Sequence, residues 1–148
     1  MRFAYLGSGS GGNSALICEG GTQLMLDCGF TRKEAEARLE RLGIAPAELT
    51  AILVTHEHSD HIGGVARLAR QYRVPVYMTH GTYESWGDRK VPRVEFFNSH
   101  EPFSIGDIEI QPYPVPHDAR EPCQFVFSNG QRRLGILSDA GSVTLYMK

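Results

Sequence analysis

His56-Glu57-His58-Ser59-Asp60-His61 gathers three of the chain's six histidines and two carboxylates into six consecutive residues. Imidazole nitrogen and carboxylate oxygen are the donors that hold borderline cations such as zinc. The apolar run Ala51-Ile52-Leu53-Val54 comes directly before the cluster and Gly63-Gly64 directly after it. A strand ending at Thr55 would deliver the following side chains to a loop at the rim of a sheet, where several can converge on one point. His56 and His58, two residues apart, can point the same way, while Asp60 and His61 can turn toward a neighbouring position. The segment therefore reads as a site for one or two cations. The other reading, a solvated polar loop, leaves the concentration of histidines unexplained.

The pattern His-x-His-x-Asp-His after a hydrophobic strand resembles the signature of the metallo-β-lactamase-fold hydrolases. Within that superfamily, three further stretches are most similar to the bacterial YycJ/WalJ-type, exonuclease-like branch. They are Leu6-Gly7-Ser8-Gly9-Ser10-Gly11-Gly12-Asn13-Ser14, Asp27-Cys28-Gly29 and Pro114-Val115-Pro116-His117-Asp118-Ala119. The resemblance implies an α/β fold of the αββα sandwich type, two divalent metal ions with zinc first and manganese as the alternative, and nucleic acid, DNA or RNA, as substrate.

It also implies roles. His117 would join His56 and His58 on the first metal, although a histidine after Pro114-Val115-Pro116 also suits a plain surface loop. Asp60, His61 and Asp139 would hold the second metal, with Asp139 bridging the two; Asp before Ala140-Gly141 is also an ordinary turn residue. Asp60 would in addition orient the attacking water, which two cations acidify while neutralising charge on a phosphoryl or carbonyl oxygen. Asp27 resembles the buried aspartate that ties the metal loop to the scaffold. The loop Gly7 to Asn13 lacks the Lys of a P-loop, yet its glycines would let backbone N–H groups approach a phosphate. Ser10 and Asn13 are its candidate substrate contacts, and a flexible turn is the competing reading.

Two other functions share these residues. Hydrolysis of a thioester, lactone or lactam would use almost the same ligands, because fold does not fix substrate. An inactive metal-binding fragment is the third reading. In the family a further half with a late histidine follows, so the chain is expected to be the amino-terminal part of the fold. Its second metal site would be short of one ligand, and apolar sheet surface would be left uncovered.

The elements that must position these side chains are legible from period and punctuation. Strands are expected at Phe3 to Leu6, Ser14 to Cys18 and Gln23 to Leu26, the last two joined at Gly20-Gly21. Thr31 with Glu34 makes a capping-box pattern, and Ala35, Leu39 and Leu42 follow at helical spacing up to Gly43. After the cluster, Ile62, Val65, Leu68, Ala69 and Tyr72 form one helical stripe, and Val74 to Met78 returns as a strand. A short helix from about Thr79 to Trp86 precedes strands at Val94 to Phe97, Phe103 to Ile105 and Ile108 to Tyr113. Gln124 to Phe127 and Arg132 to Leu137 flank Asn129-Gly130, a strong hairpin signal. Tyr146-Met147-Lys148 reads as the start of a helix.

Composition sets the outer limits. The 148 residues suit one domain spanning 1–148, and 41% apolar with 22% charged residues is the profile of a globular protein. A net charge of -2 gives no global attraction to nucleic acid, so phosphates would have to be met by metal and by local clusters such as Arg67, Arg70 and Arg73. No stretch reads as a signal peptide or membrane span. Cys18, Cys28 and Cys123 are odd in number and scattered, which points to reduced thiols in a cytoplasmic protein.

Overall fold

A computed structural model describes residues 1–9, 11–115, 119–139 and 142–147, with the backbone alone for 134–139 and 142–147. Its first sheet has six strands in sequential order: β1 (Arg2–Gly7), β2 (Ser14–Glu19), β3 (Thr22–Leu26), β4 (Ala51–Leu53), β5 (Val76–Met78) and β6 (Val94–Phe96). β1, β2 and β3 pair antiparallel, and β3 to β6 run parallel. Parallel neighbours need crossovers. These are α1 (Arg32–Arg41), the pair α2 (Ser59–Ile62) and α3 (Val65–Tyr72), and α4 (His80–Glu84). The second sheet has the order β11-β10-β9-β8-β7, formed by β7 (Phe103–Ile105), β8 (Ile108–Pro114), β9 (Cys123–Ser128), β10 (Arg133–Asp139) and β11 (Ser142–Met147).

Strand alternation explains why the chain forms two cores. On β2, β3 and β4 the residues Leu16, Cys18, Met25 and Ile52 face the helices, where they meet Ala35, Leu39, Val65, Leu68 and Trp86. Their neighbours Ala15, Ile17, Leu24, Leu26, Ala51 and Leu53 face the second sheet and meet Ile108, Ile110, Phe125 and Phe127. A strand covered on both faces has no polar side to display, and this is why Ala51 to Val54 is uniformly apolar. Burying a side chain the size of Phe125 or Phe127 contributes on the order of 2 kcal/mol. The layers are thus helix, sheet and sheet, three of the four in the expected αββα sandwich.

Most expected elements are present within a residue or two. Thr31 caps α1 by accepting from the Glu34 amide at 3.3 Å, and Thr79 caps α4 in the same way from Thr82. Two expectations need correction. The single helical stripe from Ile62 to Tyr72 is broken at Gly63-Gly64 into α2 and α3, so Asp60 and His61 sit on a short helix rather than in a loop. Gly64 has no room for a side chain, since a Cβ there would lie 1.8 Å from the Phe30 carbonyl oxygen. Tyr146 and Met147 lie not in a helix but in β11, which pairs antiparallel with β10 from Leu134↔Met147 to Asp139↔Ser142. Val143, Thr144 and Tyr146 are strand formers, and the edge of β10 offers them a hydrogen-bonding partner.

Candidate metal centre

The carboxyl ends of β3 and β4 lie side by side, and the residues immediately after them build the centre, as ligand sites in parallel sheets commonly do. After β3 the backbone turns at Asp27, whose φ of +58° is a left-handed conformation rarely adopted by non-glycine residues. The turn aims its carboxylate at the neighbouring strand. Oδ1 accepts from the Thr55 amide at 2.8 Å, and Oδ2 accepts from the Thr55 hydroxyl at 2.7 Å and meets His61 Nδ1 at 2.7 Å. Asp27 is 2% exposed, so these bonds operate away from water.

This network determines the protonation of two imidazoles. The Thr55 hydroxyl has one proton, which goes to Asp27, so at its 2.8 Å contact with His56 Nδ1 it must accept. His56 then carries its proton on Nδ1. His61 likewise donates from Nδ1 to Asp27. Both rings keep Nε2 as a lone-pair donor, the form that binds a cation, with the other nitrogen anchored as metal-site imidazoles usually are. Burial pulls the His61 pKa down, but the Asp27 hydrogen bond and the charges of Asp27 and Asp60 outweigh it and hold the ring above its ordinary value.

The histidines are grouped. The His56 ring lies 4.7 Å from that of His58 and 4.1 Å from that of His61, centroid to centroid. Asp60 Oδ2 is 3.7 Å from His61 Nε2. Nitrogen and oxygen donors of this kind suit a borderline divalent cation. Among the described residues no three His, Cys, Asp or Glu side chains form a group able to hold a metal ion. Each expected triad has one member that is not described in full: His117 lies outside the described residues, and Asp139, at the end of β10, is described only by its backbone.

Asp60 is positioned from behind. Its carbonyl accepts from the Asn13 amide at 2.7 Å and from Asn13 Nδ2 at 3.0 Å, and its Oδ2 lies 3.1 Å from the same Nδ2. Asn13 also exchanges hydrogen bonds with Gly9 through both ends of its side-chain amide. Asn13, expected as a substrate contact, is buried and fastens the glycine loop to Asp60. Ser10, its companion in that expectation, lies outside the described residues. Gly12 in that loop has a packing reason too, since a Cβ there would lie 2.6 Å from the Phe30 ring. Gly29 completes the crossing: a Cβ there would stand 1.9 Å from the Asp60 carbonyl oxygen.

Three participants were not singled out from sequence. Thr55 looked like the end of a strand; a β-branched hydroxyl residue between an apolar run and a histidine was the available signal. Gly29 was quoted only as part of Asp27-Cys28-Gly29. Glu57, counted only as a carboxylate in the cluster, accepts from the Arg120 amide at 2.9 Å through its Oε2. The same segment is held by Cys123, whose amide donates to Thr55 O at 2.9 Å, and by Glu121, whose carboxylate accepts from the Gly81 amide at 2.9 Å. His80 stacks on Phe96 at 3.9 Å, and His100 lies in a turn where its amide donates to the Asn98 side chain.

Residues 7–140 match the family described as Metallo-beta-lactamase superfamily. The chain is 36% identical over 152 aligned residues to exodeoxyribonuclease YycJ of Bacillus anthracis, covering 100% of this chain and 58% of that protein. It is 34% identical over 150 residues to exodeoxyribonuclease WalJ of Streptococcus pneumoniae (strain D39), covering 97% of this chain and 56% of that protein. The chain thus spans somewhat more than half the length of these relatives. In three dimensions it resembles the metallo-beta-lactamase fold protein YhfI of Bacillus subtilis with a TM-score of 0.72 at 23% identity, covering 88% of this chain and 59% of that one. A match to most of the chain, a cluster of imidazoles at the end of β4 and the helix–sheet–sheet layering agree: the chain belongs to the metallo-beta-lactamase superfamily.

Proposed function

We propose that the chain carries the catalytic core of a metal-dependent phosphodiesterase that acts on nucleic acid as an exonuclease. The observation that supports this most is the similarity, along 97–100% of this chain, to part of two proteins named exodeoxyribonucleases, combined with two imidazoles, His56 and His61, anchored through Nδ1. In this reading His56, His58 and His117 hold one divalent ion, and Asp60, His61 and Asp139 the other, with zinc or manganese as the metal. Bound there, the ions would supply the Lewis acidity that makes water nucleophilic at neutral pH and offsets charge on a phosphoryl oxygen. The protein's own part is orientation. Asp27 and Thr55 keep His56 and His61 facing the ions, Asn13 holds Asp60 where its carboxylate can direct a water molecule, and Ser10 is the candidate contact for the substrate phosphate. Free, buried Cys18, Cys28 and Cys123 suit a reducing, cytoplasmic setting. Among the described residues no helix is long and apolar enough to cross a membrane.

The test compares turnover of bis(p-nitrophenyl) phosphate and of a thioester with zinc or manganese present, for the wild type and Asp60→Ala, alongside zinc retained after dialysis in His117→Ala. Diester hydrolysis that depends on Asp60, with zinc lost in His117→Ala, supports the reading. Thioester hydrolysis alone, or zinc retention indifferent to His117, overturns it.

A further inference from the structure

A groove of about 630 Å³ runs between the amino-terminal turn of α1 and the outer face of α3, lined by Thr31, Arg32, Lys33, Arg67, Arg70 and Gln71. Four of its six lining residues are cationic and none is acidic, in a chain whose net charge is -2. Two of the cations are partly compensated from outside: Arg32 pairs with Glu36 at 3.5 Å and Arg70 with Asp88 at 2.9 Å. The Arg32 guanidinium also donates to the Gln71 side chain at 3.3 Å and so links the two walls. Lys33 and Arg67 are exposed and make no ion pair or side-chain hydrogen bond among the described residues. A pair of unspent positive charges flanked by the hydroxyl of Thr31 and the amide of Gln71 fits a phosphodiester, which needs charge together with neutral donors.

One wall of the groove starts from backbone that touches the histidine segment, and the other follows that segment directly in sequence. Thr31 lies two residues beyond Gly29, which packs on the Asp60 carbonyl, and Arg67 lies three residues beyond Gly64, which packs on the Phe30 carbonyl. We infer that this groove is a track for the phosphate backbone of a single-stranded nucleic acid, taking the part of the strand that trails from the nucleotide at the metal centre. The inference rests on the proposed nucleic-acid substrate and adds where that substrate lies. Contacts to phosphate alone would make the track indifferent to base sequence. Lys33 and Arg67 are its central contacts, and Arg32 and Arg70, each tied to an acid, shape its walls.

The experiment measures binding of a fluorescein-labelled single-stranded oligodeoxythymidine to the 148-residue chain by anisotropy in EDTA, across a series of salt concentrations. Removing both charges in a Lys33→Ala, Arg67→Ala double variant should weaken binding about tenfold. It should also make the slope of log affinity against log salt shallower by about 1.4, at ~0.7 per phosphate contact for single strands. A variant with the same charge change at the β9–β10 hairpin, Arg132→Ala with Arg133→Ala, should bind within about twofold of wild type. The inference is overturned if the groove variant binds as wild type, or if the hairpin variant loses as much, since attraction is then spread over the surface. It is also overturned if inorganic phosphate binding depends on Lys33 and Arg67 while oligonucleotide binding does not. Because binding is read without metal, absence of Asp60-dependent turnover would bear on the proposed reaction and leave this result standing.

Discussion

Asp27→Asn tests the wiring of the metal loop with almost no change in shape. Asn tolerates the left-handed backbone at φ +58° nearly as well as Asp, so the turn itself should survive. Every group that meets the Asp27 carboxylate is a donor: the Thr55 amide at Oδ1, and the Thr55 hydroxyl and His61 Nδ1 at Oδ2. A carboxamide must therefore turn its NH2 toward at least one of them. With NH2 at the Oδ1 position, the buried Thr55 N–H loses its acceptor, at about 1–3 kcal/mol, and the two remaining bonds lose charge assistance worth roughly 1 kcal/mol in all. With NH2 at the Oδ2 position, the Thr55 hydroxyl reverses and donates to His56 Nδ1, and His61 must give up its Nδ1 proton. Both rings then carry N–H at Nε2, where a cation needs a lone pair. The first outcome lowers the stability of the metal-free protein by about 3 kcal/mol, about 6 °C or more in Tm. The second spares stability but weakens zinc at least ~100-fold, the upper range for loss of a ligand's hydrogen-bonding partner. Urea unfolding of metal-free protein, zinc titration and ¹⁵N chemical shifts of the imidazoles would separate the two. A variant within about 0.5 kcal/mol of wild-type stability that also kept its zinc affinity and its Nδ1–H tautomers would refute the reasoning.

Other expectations follow from single contacts. Gly29→Ala places a Cβ 1.9 Å from the Asp60 carbonyl oxygen, a backbone atom that cannot rotate away. It should cost about 3 kcal/mol in urea unfolding and displace Asp60, whereas Gly87→Ala, with nothing within 4 Å of its Cβ, should be nearly silent. Glu57→Ala removes the acceptor of the Arg120 amide; we expect about 1 kcal/mol of stability lost and weaker zinc retention, with Glu57→Gln, which keeps an acceptor oxygen, restoring both. Equal behaviour of the Ala and Gln variants would show that the hydrogen bond is immaterial. Burial pushes the Cys28 and Cys123 thiols up to about 12. A folded pKa raised above the unfolded one stabilises fully below the unfolded thiol pKa and is lost as pH rises through the folded value. Stability should therefore fall from about pH 9 toward 12, by up to ~1.4 kcal/mol per pH unit for each thiol. Cys123→Ala should make that decline measurably shallower than in wild type.

The family was legible in the sequence because its motif crowds three histidines and two carboxylates into six consecutive positions, His56 to His61. The strands and helices were legible for a related reason: each face must meet its own core, so alternation along β2 to β4 and the caps at Thr31 and Thr79 leave local marks. The break at Gly63-Gly64 and the strand Ser142–Met147 were not, because both depend on what the backbone meets elsewhere, the Phe30 carbonyl in one case and the edge of β10 in the other. The same holds for the working parts of the site. Nothing local to Asn13 says that its amide will close on Asp60 across 47 residues, and nothing local to Thr55 says that its single proton will go to Asp27, 28 residues away, and so hold His56 in one tautomer. Residue types declare which donors and acceptors exist; which of them meet, and therefore which nitrogen of His56 and His61 carries the proton, is decided only when β3 and β4 pair side by side.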